Sequence, residues 1–389
     1  MFSEPINEIT FEKVENFCRE DLPEGIRLDY KEDFPRDLAK TISAFANTYG
    51  GLILIGVEET DRSTPKLPIK GIPLERGLEE RITAIALRGI YPPVSPEIKV
   101  CEFSSEDAPA PDRAVIAIRV QESPDAPHAI ENKKKVYIRV ERQNEPYELA
   151  DVDYILALKD GRNRAIETRQ LMIIAALHRC QNILKSNLID KPARLIIVSP
   201  QFPRDVLVSL DQLYGIAQQE QIGYEIDFGN LTTMQAGVKF TIPGNWGPHF
   251  NYMELTREGL FFYLEACSET SEERAKSLDI GRTIVVIGRL LEYALRCYEK
   301  MGFWGSVHIE LLLSNTLGRR LTDSRSAWSC NSVCPDKEVR IEATKSIFEL
   351  RENHFALVED FTKRFIWAFG CKIDSDVVKA RVEGSLSRK

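Results

Sequence analysis

Several motifs that mark common chemistries are missing from this 389-residue sequence. Gly50-Gly51 lacks the Gly-Lys-Ser/Thr ending of a phosphate-cradling Walker A loop, and no Rossmann glycine pattern occurs. There is no Gly-x-Ser-x-Gly elbow, and none of the five histidines lies in a recognisable cysteine or serine context. These absences argue against a P-loop nucleotide site, a dinucleotide site and a nucleophilic triad.

Long apolar runs are also missing. No run approaches the roughly 18 residues that a membrane-spanning helix needs. The first residues, MFSEPINEITFEKVENF, are acidic and lack the charged-then-apolar pattern of a signal peptide. We therefore expect a cytoplasmic protein without a membrane partner.

Cysteines are few and scattered, at positions 18, 101, 180, 267, 297, 330, 334 and 371. Several, such as Cys180 and Cys297, lie inside helical apolar patterns, which favours free buried thiols in a reducing compartment. Cys330 and Cys334 are the only close pair, and the histidines of the second half are distant from them in sequence. A structural zinc site is therefore not expected.

An excess of positive charge is absent as well, because the formal net charge is -8. This balance argues against non-specific nucleic-acid binding by the whole surface. Any contact with a nucleic acid must come from a local basic cluster. The main candidate is Lys133-Lys134-Lys135 together with Arg139 and Arg142.

The length and the order of the predicted elements indicate two domains. Strands alternate with helices in two blocks of differing pattern, so we predict an α+β (mixed α/β) fold with domains at 1–157 and 158–389. The segment Ala150–Leu184 is predicted to be largely helical, with a break near Gly161, and to join the domains. The second domain carries long helices, and we expect it to serve in sensing, dimerisation or substrate selection.

The most informative stretch runs from Glu24 to Glu59. A short strand at 28–31 precedes a helix with apolar residues at i, i+4, i+7 and i+8, starting at Leu38. Gly50-Gly51 ends the helix, and the apolar run 52–57 is typical of a strand buried on both faces. That strand delivers Glu58-Glu59 at its end, which suggests a metal or acid-base site or, alternatively, an ordinary acidic turn. The polar, proline-rich segment 61–70 is predicted to be an exposed loop beside this site.

This stretch resembles the Schlafen AlbA-type domain. The matching pieces are Glu24 with Asp29-Tyr30-Lys31, then Ala-Phe-Ala-Asn-Thr-Tyr-Gly-Gly at 44–51, then Gly-Val-Glu-Glu at 56–59. The resemblance extends more weakly to about residue 155. It implies a metal-dependent endonuclease that acts on structured RNA such as tRNA, in antiviral defence or a stress response.

The implied catalytic set consists of carboxylates with one lysine. Hard ions such as Mg²⁺ or Mn²⁺ take oxygen ligands, and a bound ion lowers the pKa of a water and neutralises charge on a phosphodiester. The predicted metal ligands are Glu24, Asp29 and Glu58 or Glu59, and Lys31 completes a catalytic set of Glu24, Asp29, Lys31 and Glu59. The family order of acids is Glu, Glu, Asp, so this chain departs from it at the second and third positions.

A strand at Lys135–Val140 alternates strictly, with Lys135, Tyr137 and Arg139 on one face. Such a face can stack a base and hold a phosphate, although a solvated amphipathic strand gives the same pattern. The predicted nucleic-acid contacts are Lys31, Arg36, Lys133, Lys134, Lys135, Tyr137 and Arg139.

Two further functions stay open at this point. The domain is alternatively a non-catalytic DNA- or RNA-binding regulatory module, in which Glu24 and Asp29 pair with Arg27, Lys31 or Arg36. In the third possibility, the C-terminal half senses a ligand or protein and the N-terminal domain assembles the complex. Related Schlafen cores join two lobes around a basic valley. Since this chain has one such lobe, a homodimer is expected to supply the second.

Overall fold

The computed structural model describes residues 6–104, 111–130, 135–140, 143–148, 152–184, 192–203, 206–220, 229–241, 251–267, 277–323, 328–372 and 374–386. The fold is mixed α+β, as predicted. The chain divides into two compact units, the first ending at Arg164 and the second beginning at Ala165. Among the described helices, none combines the length and the apolar character of a bilayer-spanning helix.

The first unit contains a five-stranded sheet and a three-stranded sheet. Its elements are a 3-10 helix (Ile6–Glu8), α1 (Phe11–Cys18), β1 (Leu28–Lys31), α2 (Leu38–Asn47), β2 (Gly51–Ile55), β3 (Ile72–Pro73), α3 (Leu78–Gly89), β4 (Glu97–Phe103), β5 (Arg113–Val120), β6 (Ala129–Ile130), β7 (Lys135–Val140), β8 (Gln143–Glu148) and the start of α4 (Val152–Leu184). In the larger sheet β2 pairs with β1 in parallel and with β5 in antiparallel orientation, and β3 and β4 pair with β5.

Strand β2 is buried on both faces, which confirms the prediction from its apolar run. Ile53 and Ile55 belong to the apolar cluster under α2 and α3. Leu52 and Leu54 belong to the cluster on the opposite face, with residues of α1. Because β2 is central and β1 is an edge strand, β1 has one edge, its free edge, that pairs with no other strand in the described part of the chain.

The two glycines at the turn from α2 into β2 are required by close packing. Gly50 has φ +66°, and a Cβ there would lie 2.6 Å from the Val120 carbonyl oxygen. A Cβ on Gly51 would lie 2.6 Å from the Phe45 ring. Both distances are shorter than side chains tolerate, so only glycine lets the chain turn tightly from α2 into β2.

The three-stranded sheet, β6-β7-β8, is tied to α2 by one buried asparagine. Asn47 donates from Nδ2 to the carbonyl oxygens of His128 (2.9 Å) and Tyr137 (2.8 Å). Its Oδ1 accepts the His128 N–H at 2.6 Å. One side chain therefore satisfies three backbone groups that are distant in sequence, and it docks β7 against α2.

The second unit contains a seven-stranded antiparallel sheet in the order β10-β11-β12-β13-β9-β15-β17. Its elements, after the end of α4, are β9 (Ala193–Pro200), α5 (Leu210–Gln219), β10 (Asn230–Met234), β11 (Gly237–Thr241), β12 (Asn251–Thr256), β13 (Phe261–Ala266), β14 (Ser277–Asp279), α6 (Ile280–Lys300), β15 (Ser306–Ser314), β16 (Arg320–Thr322), β17 (Glu338–Ser346), α7 (Ile347–Glu352), α8 (His354–Ala368) and α9 (Ser375–Leu386). A large apolar cluster joins the sheet to α5 through α9, and a smaller cluster joins it to α4.

Two expectations are corrected by the structure. Helix α4 runs without a break through Gly161, because one glycine costs only about 1 kcal/mol inside a helix that long. Cys330 and Cys371 form a disulfide across 41 residues, so the eight cysteines are not all free thiols, although the other six are free and buried. The spacing of these cysteines in the sequence does not reveal that they meet.

Candidate functional site

The carboxyl ends of the parallel strands β1 and β2 lie at the same edge of the sheet. The Lys31 carbonyl oxygen at the end of β1 accepts N–H groups from Gly56 (2.7 Å) and Val57 (3.0 Å), just beyond β2. These bonds place Glu58 and Glu59 beside the end of β1. The carboxyl end of a strand is a common ligand-binding position in α/β sheets.

Asp29 lies in β1 and is almost fully buried, with 1% of its surface exposed. Its Oδ1 is 2.8 Å from the buried Arg139 guanidinium, and its Oδ2 is 2.7 Å from the Lys31 ammonium group. Arg139 also donates to the carbonyl oxygens of Gly25 (3.1 Å) and Leu28 (3.2 Å). The Asp29 carboxylate is thus neutralised by two cations, which compensates the cost of burying its charge.

Glu24 lies along the free edge of β1. Its Oε1 accepts the Tyr30 N–H at 2.6 Å and is 3.8 Å from the Lys31 ammonium group. The Glu24 backbone N–H donates to the Ser63 carbonyl oxygen at 2.8 Å, which joins β1 to the loop that follows β2. Burial, with the neighbouring Asp29 charge, raises the pKa of Glu24 to about 7, and the more distant Glu59 adds to this effect.

The two carboxylates after β2 have different surroundings. Glu58 accepts hydrogen bonds from the ammonium groups of Lys66 and Lys70, each at 2.6 Å, and these bonds lower the pKa of Glu58. Glu59 is exposed and forms an isolated bridge with Pro65. Of the two, Glu59 is the one whose charge acts on Glu24, whereas Glu58 is held by the lysines of the loop.

The carboxylates do not form a ready metal centre in this arrangement. Within the described parts of the chain, no group of three or more His, Cys, Asp or Glu side chains is placed to hold an ion. Both oxygens of Asp29 face cationic side chains, and Lys31 lies near Glu24 as well as Asp29. A divalent ion at this point would compete with Lys31 and Arg139 for the same oxygens.

The prediction for the β7 face needs correction. Tyr137 and Arg139 point inward, because β7 packs on α2. Tyr137 belongs to the apolar cluster of α2, with the Lys40 ammonium group 5.2 Å from its ring centre. Neither Tyr137 nor Arg139 is therefore exposed for a base or a phosphate, and alternation alone did not show which face is buried.

The other residues predicted to contact a nucleic acid differ in exposure. Lys31 is partly exposed and Arg36 is exposed in the segment between β1 and α2. Lys135 is partly exposed at the start of β7. Lys133 and Lys134 lie outside the described residues.

Sequence reasoning did not single out Lys66, Lys70 or the pairing of Asp29 with Arg139. The loop 61–70 was expected beside the acidic residues, and its bonds to Glu58 confirm that position. The sequence feature that could have indicated the bonds to Glu58 is the pair of lysines four residues apart in that loop. The Asp29–Arg139 pair gives no local signal, because 110 residues of sequence separate its members.

The raised pKa of Glu24 predicts that the stability of the folded protein depends measurably on pH. The folded pKa of Glu24, about 7, lies above the ordinary 4.5, so the folded state binds the proton more tightly than the unfolded state. Its stabilising contribution is therefore complete below pH 4.5 and is lost as the pH rises through 7. Because one pKa unit is worth about 1.4 kcal/mol, we expect a loss of up to about 3 kcal/mol over this range.

Glu24→Gln tests this expectation, because the amide oxygen still accepts the Tyr30 N–H but does not titrate. Calorimetric unfolding of both proteins from acid to mildly alkaline pH, in the presence of a chelator, gives the comparison. We expect the variant to be less sensitive to pH between 4.5 and 7 and more stable than the parent above pH 7. An unchanged pH profile would show that Glu24 has an ordinary pKa.

Comparisons with known proteins identify the first unit. Residues 24–148 match the family model described as Schlafen, AlbA_2. This segment of the chain is therefore a Schlafen AlbA_2 domain, which confirms the resemblance inferred from the Glu24–Glu59 stretch. Comparison with curated proteins gave no match.

Solved structures also match the chain. One is the solution NMR structure of the N-terminal domain of a RecG-related protein from Nitrosomonas europaea. It is 17% identical, and the match covers 28% of this chain and 72% of that chain with a TM-score of 0.22.

Proposed function

We propose that the Schlafen AlbA_2 domain is a nucleic-acid-binding module that contacts phosphates through cationic side chains at the carboxyl ends of β1 and β2. In this proposal Glu24 and Asp29 are structural acids. The family match supports an association with nucleic acid. Since the net charge of the chain is -8, the contact must be local, as Lys31, Lys66 and Lys70 allow.

The main support for a structural role of the two acids is the surroundings of the Asp29 carboxylate. This carboxylate is buried, and each oxygen lies within 2.8 Å of a cationic nitrogen. Oδ2 makes no hydrogen bond of its own within the described residues, but a metal ion at either oxygen would have to displace, or bind beside, a cation that already neutralises the carboxylate. The geometry therefore favours binding over cleavage.

A metal-dependent endoribonuclease is the second candidate function. One observation favours it: the charges of Asp29 and Glu59 both act on Glu24, so three carboxylates lie in electrostatic range of one another. For this function the cofactor is Mg²⁺ or Mn²⁺ and the substrate is structured RNA such as tRNA. The metal ligands are Glu24, Asp29 and Glu59, or Glu58 in place of Glu59. The Lys31 ammonium group lies near both Glu24 and Asp29, so a metal ion would have to displace this group or bind beside it.

The experiment measures binding and cleavage in the same samples of the full chain. Fluorescent tRNA and a DNA duplex are titrated with protein in the presence of EDTA, from about 50 to 200 mM salt, and then with added Mg²⁺ or Mn²⁺. We expect salt-sensitive binding and intact nucleic acid. An absence of binding at low salt would overturn the proposal.

Cleavage would favour the second candidate only under one further condition. It should be lost in Glu24→Gln, which retains the hydrogen bond to Tyr30 and is expected to fold. Cleavage that persists in this variant would point to a different site or to a contaminating nuclease.

Three other expectations stay predictions. They are a homodimer that supplies a second lobe, a role in defence or stress, and sensing by the second unit. The measured mass of the chain in solution tests the first of them.

A further inference from the structure

We propose that Lys66 and Lys70 form a phosphate-binding pair, oriented by Glu58, through which the Schlafen AlbA_2 domain holds the backbone of its nucleic acid. This inference rests on the proposed nucleic-acid-binding function and names the side chains that would make the contact. The pair lies on the loop that follows β2, whose Ser63 carbonyl oxygen accepts the Glu24 N–H, and Lys70 lies near Glu32, just beyond β1.

The first support is the way one carboxylate holds both lysines. Lys66 Nζ is 2.6 Å from Glu58 Oε1, and Lys70 Nζ is 2.6 Å from Glu58 Oε2. The two ammonium groups are thus kept on either side of a single carboxylate, where they can act on the same phosphate or on two neighbouring ones. Lys70 is also 3.9 Å from Glu32, so it stays close to the end of β1.

The second support is exposure. The Glu58 side chain is 23% exposed, whereas those of Lys66 and Lys70 are 52% and 63% exposed. An ammonium group has three N–H donors, and the bond to Glu58 uses one of them. The two lysine side chains are therefore more exposed than the carboxylate that they share, and each retains donors for a further partner.

The third support is the construction of the loop that carries the lysines. The Lys66 N–H donates to the Glu58 carbonyl oxygen at 2.8 Å, and Glu59 forms a bridge with Pro65. The Thr60 N–H donates to the Thr64 carbonyl oxygen at 2.7 Å. These bonds fix the backbone before any ligand arrives, which reduces the ordering entropy lost on binding.

The pair would bind an anion through its exposed ammonium donors, not through an excess of positive charge. Hydrogen bonds from both lysines lower the Glu58 pKa, so Glu58 is ionised at neutral pH, and the formal charges of Lys66, Lys70, Glu58 and the neighbouring Glu32 sum to zero. Exposed ion pairs contribute little to folding stability, so two lysines on one carboxylate are not needed to stabilise the fold. The ammonium groups are carried by the more exposed side chains of the three, so they are available to a phosphate from solvent.

Salt-dependent binding by the full chain tests the inference. The proteins are the parent, Lys66→Gln, Lys70→Gln, the double variant and Lys99→Gln, a matched control on β4, which is separated from β2 by β5. The probe is a fluorescent DNA duplex in EDTA, and the readout is the slope of log K against log salt. Each lost phosphate contact should make the slope shallower by about 0.9 for a duplex.

We expect a slope shallower by about one in each single variant and by about two in the double variant, with no change in Lys99→Gln. A parent that binds with a steep slope, together with a double variant of equal slope, would overturn this inference and leave the proposed function intact. A parent that does not bind would overturn both.

Discussion

Replacing Asp29 with alanine is expected to destabilise the first unit by about 3–5 kcal/mol. The substitution leaves the Arg139 guanidinium buried, with 1% of its side chain exposed and without its carboxylate partner. Removing one member of a buried ion pair costs far more than the loss of a surface ion pair. Calorimetry of the full chain, with hydrogen exchange to assign the transition to β1 and β7, measures the effect.

Two further variants give this prediction its controls. Asp33→Ala removes an exposed carboxylate four residues later and should change stability by less than about 0.5 kcal/mol. The double variant Asp29→Leu with Arg139→Met removes the whole pair and should be more stable than Asp29→Ala alone. An Asp29→Ala protein as stable as the parent would show that the pair is not buried in solution.

The expected instability of Asp29→Ala also affects how the activity of this variant is interpreted. If Asp29→Ala unfolds the first unit, lost cleavage or lost binding would follow whether or not Asp29 is catalytic. An activity measurement on that variant therefore needs a folding measurement beside it. Glu24→Gln is the better probe of catalysis, since the hydrogen bond from the Tyr30 N–H is retained.

Replacing Asn47 with alanine is expected to cost about 3 kcal/mol or more. The side chain makes three hydrogen bonds to backbone groups of His128 and Tyr137, and the site is buried. Each of those groups would be left without this partner, at about 1–3 kcal/mol for a buried polar group. The amide of His128, which donates to Asn47, should lose its protection from hydrogen exchange first.

Asn163→Ala is the matched control, because Asn163 is exposed on α4. Alanine has the higher helix propensity, so this variant should be as stable as the parent or slightly more stable. Retained protection at His128 in Asn47→Ala would contradict the docking of β7 on α2 through this side chain.

Local patterns in the sequence predicted the core of the first unit. The spacing from Leu38 to Ala46 predicts α2, the apolar run predicts β2, and Gly50-Gly51 predicts the sharp turn between them. In each case the signal and the structure lie within a few residues of one another. The loop after β2 was placed correctly for the same reason.

Contacts between distant segments could not be predicted in this way. Arg139 looked like a surface cation because β7 alternates, but Asn47 docks β7 on α2 and turns that face inward. The Cys330–Cys371 disulfide likewise depends on a loop folding back on the end of α8. The pairing of Glu58 with Lys66 and Lys70 needs the loop to close on itself, which composition alone does not show.

The most direct test of the central claim compares the affinity of the full chain for fluorescent tRNA in EDTA with its affinity in Mg²⁺ or Mn²⁺ at equal ionic strength. If Lys31 and Arg139 already neutralise Asp29, no metal is needed to complete the surface. The account predicts binding in EDTA that the metal does not strengthen, and intact tRNA under all conditions. Binding that appears only with the metal, or tRNA cleavage that Glu24→Gln abolishes, would contradict it.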